Sequence, residues 1–231
     1  MDRNDPRQYE ALAEQWWRPE GAFAMLHWLA AARAALVPPG DGTGVLVDLG
    51  CGGGLGGPHV SGYRQVGIDI GQSNVRIAAR HGLTPIRADV HSVPLRDGCA
   101  DVVLAGEILE HLSDWRSGLA EACRVLRPGG TLIIDTLNAT AASRLIAVRL
   151  AERIPGTPSG IHDPALFVPR RELVAECARH GVTIRVWGIR PGFVGLVRWL
   201  FRRTARPVPI VRTAVTSVLY AGRGIKNARG T

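Results

Sequence analysis

Apolar and polar positions follow two rhythms along this chain. Between residues 6 and 36 the apolar residues fall at helical spacing, with Tyr9, Leu12, Ala13, Trp16 and Trp17 on one face. Pro19 and Gly21 interrupt the pattern, which resumes from Ala22 and ends at Pro38-Pro39-Gly40. A short apolar run of the kind that forms a buried parallel strand follows at 45–49, and further strands are expected at 65–69, 84–87, 101–105 and 131–137. Helical stretches lie between them at 72–81 and 114–126, and Pro128-Gly129-Gly130 turns the chain into the fifth strand. Beyond 138 the spacing predicts an amphipathic helix over 145–154, a loop over 156–164, a helix over 170–180 stopped by Gly181, a strand at 183–189, a helix over 193–206 and a last strand at 216–221. Seven strands alternating with helices predict an α/β fold, a mostly parallel sheet covered on both faces. The expected division is an N-terminal helical cap (1–40), a ligand-binding core (41–137), and a substrate-side insertion with the rest of the same domain (138–231).

Composition narrows the setting. The chain has 231 residues, 46% of them apolar, enough for one sizeable core. No run of about 18 residues lacks a charge, so no membrane-spanning helix is expected. The opening MDRNDPRQYE resembles neither a secretory signal nor a transit peptide. Cys51, Cys99, Cys123 and Cys177 show no metal or disulfide spacing and read as free thiols in a reducing cytoplasm. The net charge of +8 is uneven: no Asp or Glu follows Glu176, while Arg and one Lys continue to the end. Such a tail suits an anionic partner (nucleic acid, lipid headgroups or a phosphate) or is simply solvated.

The first apolar run ends in Asp48-Leu49-Gly50-Cys51-Gly52-Gly53-Gly54. A glycine loop after a strand admits a ligand where side chains would clash. By itself the loop serves a dinucleotide, another nucleoside or only a turn. Asp48 suits a ligand bearing an ammonium group better than a pyrophosphate, and the dinucleotide spacing of the third glycine is missing. Asp69 stands at the end of the next strand, where a carboxylate accepts from ribose hydroxyls, and Asp89 follows the third strand. Each aspartate read singly is equally a turn or cap residue.

In order, VLVDLGCGGG, VGIDI, ADVVLAGEILEHL and RVLRPGGTLIIDTLN resemble the motifs of class I S-adenosylmethionine-dependent methyltransferases, whose fold is Rossmann-like. YEALAEQWWRPEGAFAMLH, GEILEHL, TLN and GIHDPALFVPRREL further resemble the ubiquinone-biosynthesis O-methyltransferase family over about residues 9–190. Those enzymes methylate catechol and hydroquinone oxygens of polyprenyl substrates. The resemblance implies that Asp48, Gly50, Cys51, Gly52 and Gly106 line the methionine end of the cofactor. It places Asp69 and Ile70 at the ribose, Asp89 and Val90 at adenine, and Arg33 against the cofactor. Trp16, His27, Asn138, His162 and Asp163 would stand on the substrate side.

Glu107, Glu110 and His111 match the family's E-x-x-E-H. As positions i, i+3 and i+4 they would share one helical face just after a strand end. The cluster is expected to be catalytic, either by holding Mg²⁺ or another divalent ion that lowers a phenol's pKa, or with His111 as general base. The resemblance fades after Ile189. There Phe193, Leu196, Val197, Leu200 and Phe201 predict one apolar helix face beside Arg198, Arg202, Arg203 and Arg206, and 145–154 offers a second with Arg144, Arg149 and Arg153. Both suit an anionic membrane surface or a lid over a lipophilic aromatic substrate. The competing expectation keeps the cofactor and methylates nitrogen or carbon of a specialised metabolite. A nucleic-acid methyltransferase lacks support, since no N-P-P-Y-like motif is present.

Overall fold

The computed structural model describes residues 3–154 and 158–228. The start of the expected loop over 156–164 and the tail residues 229–231 lie outside the described residues. Two N-terminal helices, α1 (Arg7–Ala11) and α2 (Ala24–Ala34), precede the sheet, separated by the stretch that carries Pro19 and Gly21. The five expected strands form as β1 (Gly44–Leu49), β2 (Tyr63–Asp69), β3 (Thr84–Arg87), β4 (Ala100–Gly106) and β5 (Leu126–Leu137), all parallel. Helices α3 (Gln72–Arg80) and α4 (Trp115–Val125) connect them. Leu46, Val47, Val102, Val103 and Leu104 are buried, because helices cover both faces of β1 and β4. Asp114 starts α4 by accepting from the N–H groups of Arg116 and Ser117.

The C-terminal half departs from expectation. Helical α5 (Ala141–Ser143) runs into a π-helix over Arg144–Leu150 and a 3₁₀ turn over Ala151–Arg153, where the spacing predicted one α-helix. Then come α6 (Arg170–Arg179), β6 (Val182–Pro191), α7 (Phe193–Arg202), β7 (Ile210–Thr213) and β8 (Leu219–Lys226). The strand order is β3-β2-β1-β4-β5-β8-β6-β7. The sheet therefore has eight strands, not seven. β8 enters antiparallel between β5 and β6, and β7 is an antiparallel edge strand on β6. β7 is only a few residues long and directly follows Pro207-Val208-Pro209, so its apolar pattern is too short to register. The last strand starts after Thr216 and Ser217, whose carbonyls instead accept from the Asn138 and Thr140 side chains. α7 stops at Arg202 because Arg203 turns left-handed (φ +43°), with its guanidinium over the Trp199 ring.

The order of strands reverses between β1 and β4, and their carboxyl ends open the crevice where open α/β sheets hold ligands. No helix among the described residues is long and apolar enough to cross a membrane. All four cysteines are free. Lys226, the chain's lysine, donates to the Cys123 and Leu126 carbonyls at 2.7 Å and ties β8 to the end of α4.

Candidate active site

At the end of β1 the chain reverses through glycines whose φ angles are +68° at Gly50, +50° at Gly52 and +78° at Gly54. Trp16 lies across this loop. A Cβ on Gly52 would fall 2.5 Å, and one on Gly53 2.6 Å, from its ring system. Trp16 donates from Nε1 to Asn74 Oδ1 at 2.9 Å and stacks on Phe23, while Trp17 donates to the Gly53 carbonyl. His27 donates to the Trp16 carbonyl at 2.8 Å and so braces the same segment. Trp16 and His27, expected on the substrate side, thus hold the N-terminal segment against the glycine loop.

Behind the loop stands a group of buried acids. Asp69 accepts from the Gly52 and Gly71 N–H groups and from Asn74 Nδ2, which leaves room for one further donor. Burial lifts the Asp48 carboxyl to about 6, with Arg33 opposing the rise. Arg33 is itself buried and forms a bidentate pair with Asp135 at 2.6 and 2.8 Å. Gly106 makes that possible: a Cβ there would fall 1.8 Å from Arg33 Cζ. Burial alone would lower the Arg33 guanidinium's pKa, but Asp135, Asp48 and Glu107 together hold it above its ordinary value. Glu107 sits at φ +51°, and its buried Oε1 has no hydrogen-bond partner. Burial, then the charges of Glu110 and Asp135, push this carboxyl well above the carboxylate range. An acidic cradle around one paired arginine suits a ligand that brings its own positive charge.

Three residues further on, Glu110 turns the other way. It is fully buried, accepting from Thr136 Oγ1 at 2.8 Å and from the Leu137 N–H, and burial raises it to about 7. His111 follows on the same 3₁₀ turn and faces the N-terminal segment. Its Nε2 lies 3.1 Å from the Tyr9 hydroxyl and its Nδ1 2.5 Å from Asn4 Oδ1. His162 stacks on it at 5.2 Å. Burial, with His162 adding to it, pulls the His111 imidazole down to about 3, and burial pulls His162 to about 4.

The expected metal cluster does not form. The turn is 3₁₀ rather than α-helical, so Glu107, Glu110 and His111 diverge toward Asp135, Thr136 and Tyr9 respectively. No group of three metal-ligating side chains occurs among the described residues. These residues do not fit a divalent ion.

The remaining expected positions lie around this centre. Ile70 is 51% exposed beside Asp69, an apolar side chain left open at the crevice. Asp89 Oδ1 accepts from the His91 N–H and Nδ1, which holds its carboxyl below the usual range and leaves Oδ2 open. Val90 and Cys51 are buried, Cys51 filling space under Gly67. The Asn138 amide bridges the Thr216 carbonyl and the Arg170 N–H. Asp163 accepts from the Ala165 N–H in a turn around Pro164. Sequence reasoning missed Asp135 and Asn4. An acid inside the apolar run of β5 was the available signal for Asp135; Asn4 had none.

The methyltransferase domain family matches residues 47–134. Among curated relatives, the ubiquinone biosynthesis O-methyltransferase of Paramagnetospirillum magneticum is 35% identical over 201 residues, covering 77% of this chain and 80% of the relative. That of Bordetella bronchiseptica is 31% identical over 195 residues, covering 79% and 81%. Among solved structures, a SAM-dependent methyltransferase from Thermotoga maritima superimposes with a TM-score of 0.70 at 20% identity, covering 96% of this chain and 99% of that one.

Proposed function

This chain belongs to the ubiquinone biosynthesis O-methyltransferase family and is an S-adenosylmethionine-dependent methyltransferase, and we propose that it methylates a phenolic oxygen of a lipophilic catechol or hydroquinone with His111 as general base. The observation that carries the reading is the phenol already resting on the base: Tyr9 presents its hydroxyl to His111 Nε2 at 3.1 Å. An acceptor hydroxyl replacing it would meet the same lone pair.

S-adenosylmethionine, when bound, supplies the electrophilic methyl carbon on a sulfonium. The acidic cradle of Asp48, Glu107 and Asp135 favours its positive charge, and Asp69 has capacity left for a ribose hydroxyl. His111 takes the acceptor's proton onto Nε2 as the oxygen–methyl bond forms and the sulfur–methyl bond breaks; the proton then passes to solvent. Burial keeps the imidazole neutral at physiological pH, so its lone pair is free, while the same burial lowers its basicity. It gains a positive charge just as the site loses the sulfonium's, so the charge beside the acids is kept rather than created. Alignment and the base together matter because an unperturbed phenol, with a pKa of about 10, is scarcely ionised at neutral pH.

The exposed apolar side chains fit the same reading. Phe193 and Phe201 on α7 and Leu145 and Leu150 on the π-helical segment are open to solvent, with Arg198, Arg202, Arg144 and Arg149 among them. They form a surface for an anionic membrane leaflet on its cytoplasmic side, from which a polyprenyl substrate would be drawn.

The test is incubation with methyl-labelled S-adenosylmethionine and a panel of catechols, hydroquinones, amines and RNA. The expected product is an aryl methyl ether. Label only on nitrogen, carbon or nucleic acid would overturn the proposal.

A further inference from the structure

Asn4 is triply tied. It adopts the left-handed region at φ +63°, which asparagine tolerates better than most residues other than glycine. Its N–H donates to the Gly160 carbonyl at 2.9 Å, its Nδ2 donates to the His111 carbonyl at 2.8 Å, and its Oδ1 meets His111 Nδ1 at 2.5 Å. These bonds fix more than position. Because Nδ2 must donate to a carbonyl, the amide cannot be flipped, and Oδ1 is left as an acceptor. His111 Nδ1 therefore has to carry the proton. The other nitrogen is then a pure acceptor, and it is the one that faces the Tyr9 hydroxyl.

We propose that Asn4 is a positioning residue for methyl transfer: by clamping both the main chain and Nδ1 of His111, it holds the imidazole in the tautomer whose Nε2 lone pair faces the acceptor. The inference rests on the reading of His111 as the base. His111 is faced by His162 from the 161–163 segment and by Tyr9 from α1, with Arg3 next to Asn4. Of these, Asn4 alone contacts Nδ1.

The experiment uses ¹⁵N-labelled full-length protein, with the ring nitrogens of His111 resolved by two-bond proton–nitrogen correlation and steady-state kinetics on the same samples. Wild type is expected to show protonated Nδ1 and bare Nε2. Asn4→Ala should shift His111 toward the Nε2–H form that free imidazole prefers. It should lower kcat about tenfold, part of the ~10²–10⁴ that a positioned base contributes, with KM changed less than about twofold. Asn4→Asp keeps the acceptor and should restore the Nδ1–H form. Tyr9→Phe should leave that form in place, which separates Asn4 from the hydroxyl on the other nitrogen. The proposal is overturned if Asn4→Ala keeps Nδ1–H, or if Tyr9→Phe rather than Asn4→Ala moves the proton. Should Asn4→Ala fail to fold, loss of Nδ1–H in Asn4→Asp overturns it equally. Failure of the base reading looks different: His111→Gln would turn over like wild type whatever the tautomer spectrum shows.

Discussion

Glu107 and His111 stand on one turn, yet burial drives them to opposite protonation outcomes with the same net charge. On the cofactor side, burial raises Asp48, Glu107 and Glu110, so these acids hold protons that solvent-exposed carboxyls would lose. On the acceptor side, burial lowers His111 and His162, so the imidazoles shed protons. In both regions desolvation favours the neutral form, but Asp48, raised only to about 6, is still ionised at neutral pH. They differ in what a ligand would do to them. A cation entering the acidic cradle would favour the carboxylate forms, whereas a phenol on His111 needs the neutral imidazole that is already there. One turn of chain thus separates a site waiting for positive charge from a site waiting for a proton.

The contrast is broken most severely by removing the base. His111→Gln is expected to cost about 10²–10⁴ in kcat at neutral pH, with S-adenosylhomocysteine binding by calorimetry close to wild type, because the acids are untouched. Next comes the pair that anchors the cradle. Asp135→Ala would leave the Arg33 guanidinium buried without its partner, at a cost of about 3–5 kcal/mol, read from urea unfolding. A loss below about 1 kcal/mol would mean that the pair behaves as a surface pair.

The pH dependence of stability sharpens the contrast, because the two regions have opposite signs. The lowered histidines contribute stability in full above about 6.5, lost as pH falls toward about 4 for His162 and about 3 for His111. The raised acids contribute below about 3.8–4.5, and their contribution is lost as pH rises through about 6 for Asp48 and about 7 for Glu110. Asp48→Asn should therefore raise the urea midpoint at pH 8 and leave it nearly unchanged at pH 4. His111→Gln with His162→Gln should flatten the acid limb. Equal midpoints for Asp48→Asn and wild type at pH 8 would contradict the raised carboxyl. The smallest effect is expected of Glu107→Gln, which mimics a carboxyl already neutral: less than about 1 kcal/mol in stability, with weaker cofactor binding as its main consequence.

The two halves of the chain were unequally legible in its sequence. Strands β1, β4 and β5 announced themselves as apolar runs bounded by glycines or helices, the pattern of buried parallel strands, while the exposed edge strand β3 was placed by its position in the strand–helix alternation. Acids at strand ends announced a polar ligand. β7 did not, since Ile210–Thr213 is a few residues of edge strand beside two prolines. The turn at 109–111 was misjudged for a related reason. Helical spacing put Glu107, Glu110 and His111 on one face, but Glu107 is left-handed and the turn is 3₁₀, so the side chains part. Asn4 acts across more than a hundred residues of sequence, through a contact that local pattern cannot encode.

The central claim is that His111 removes the acceptor's proton, and the direct measurement is the single-turnover methylation rate of wild type and His111→Gln as pH approaches the acceptor's own pKa, about 10 for an unperturbed phenol. If the imidazole is the base, the deficit of His111→Gln is large at pH 7 and shrinks steadily as the phenol ionises without help. A deficit that stays constant across that range would contradict the account and leave His111 as a structural residue.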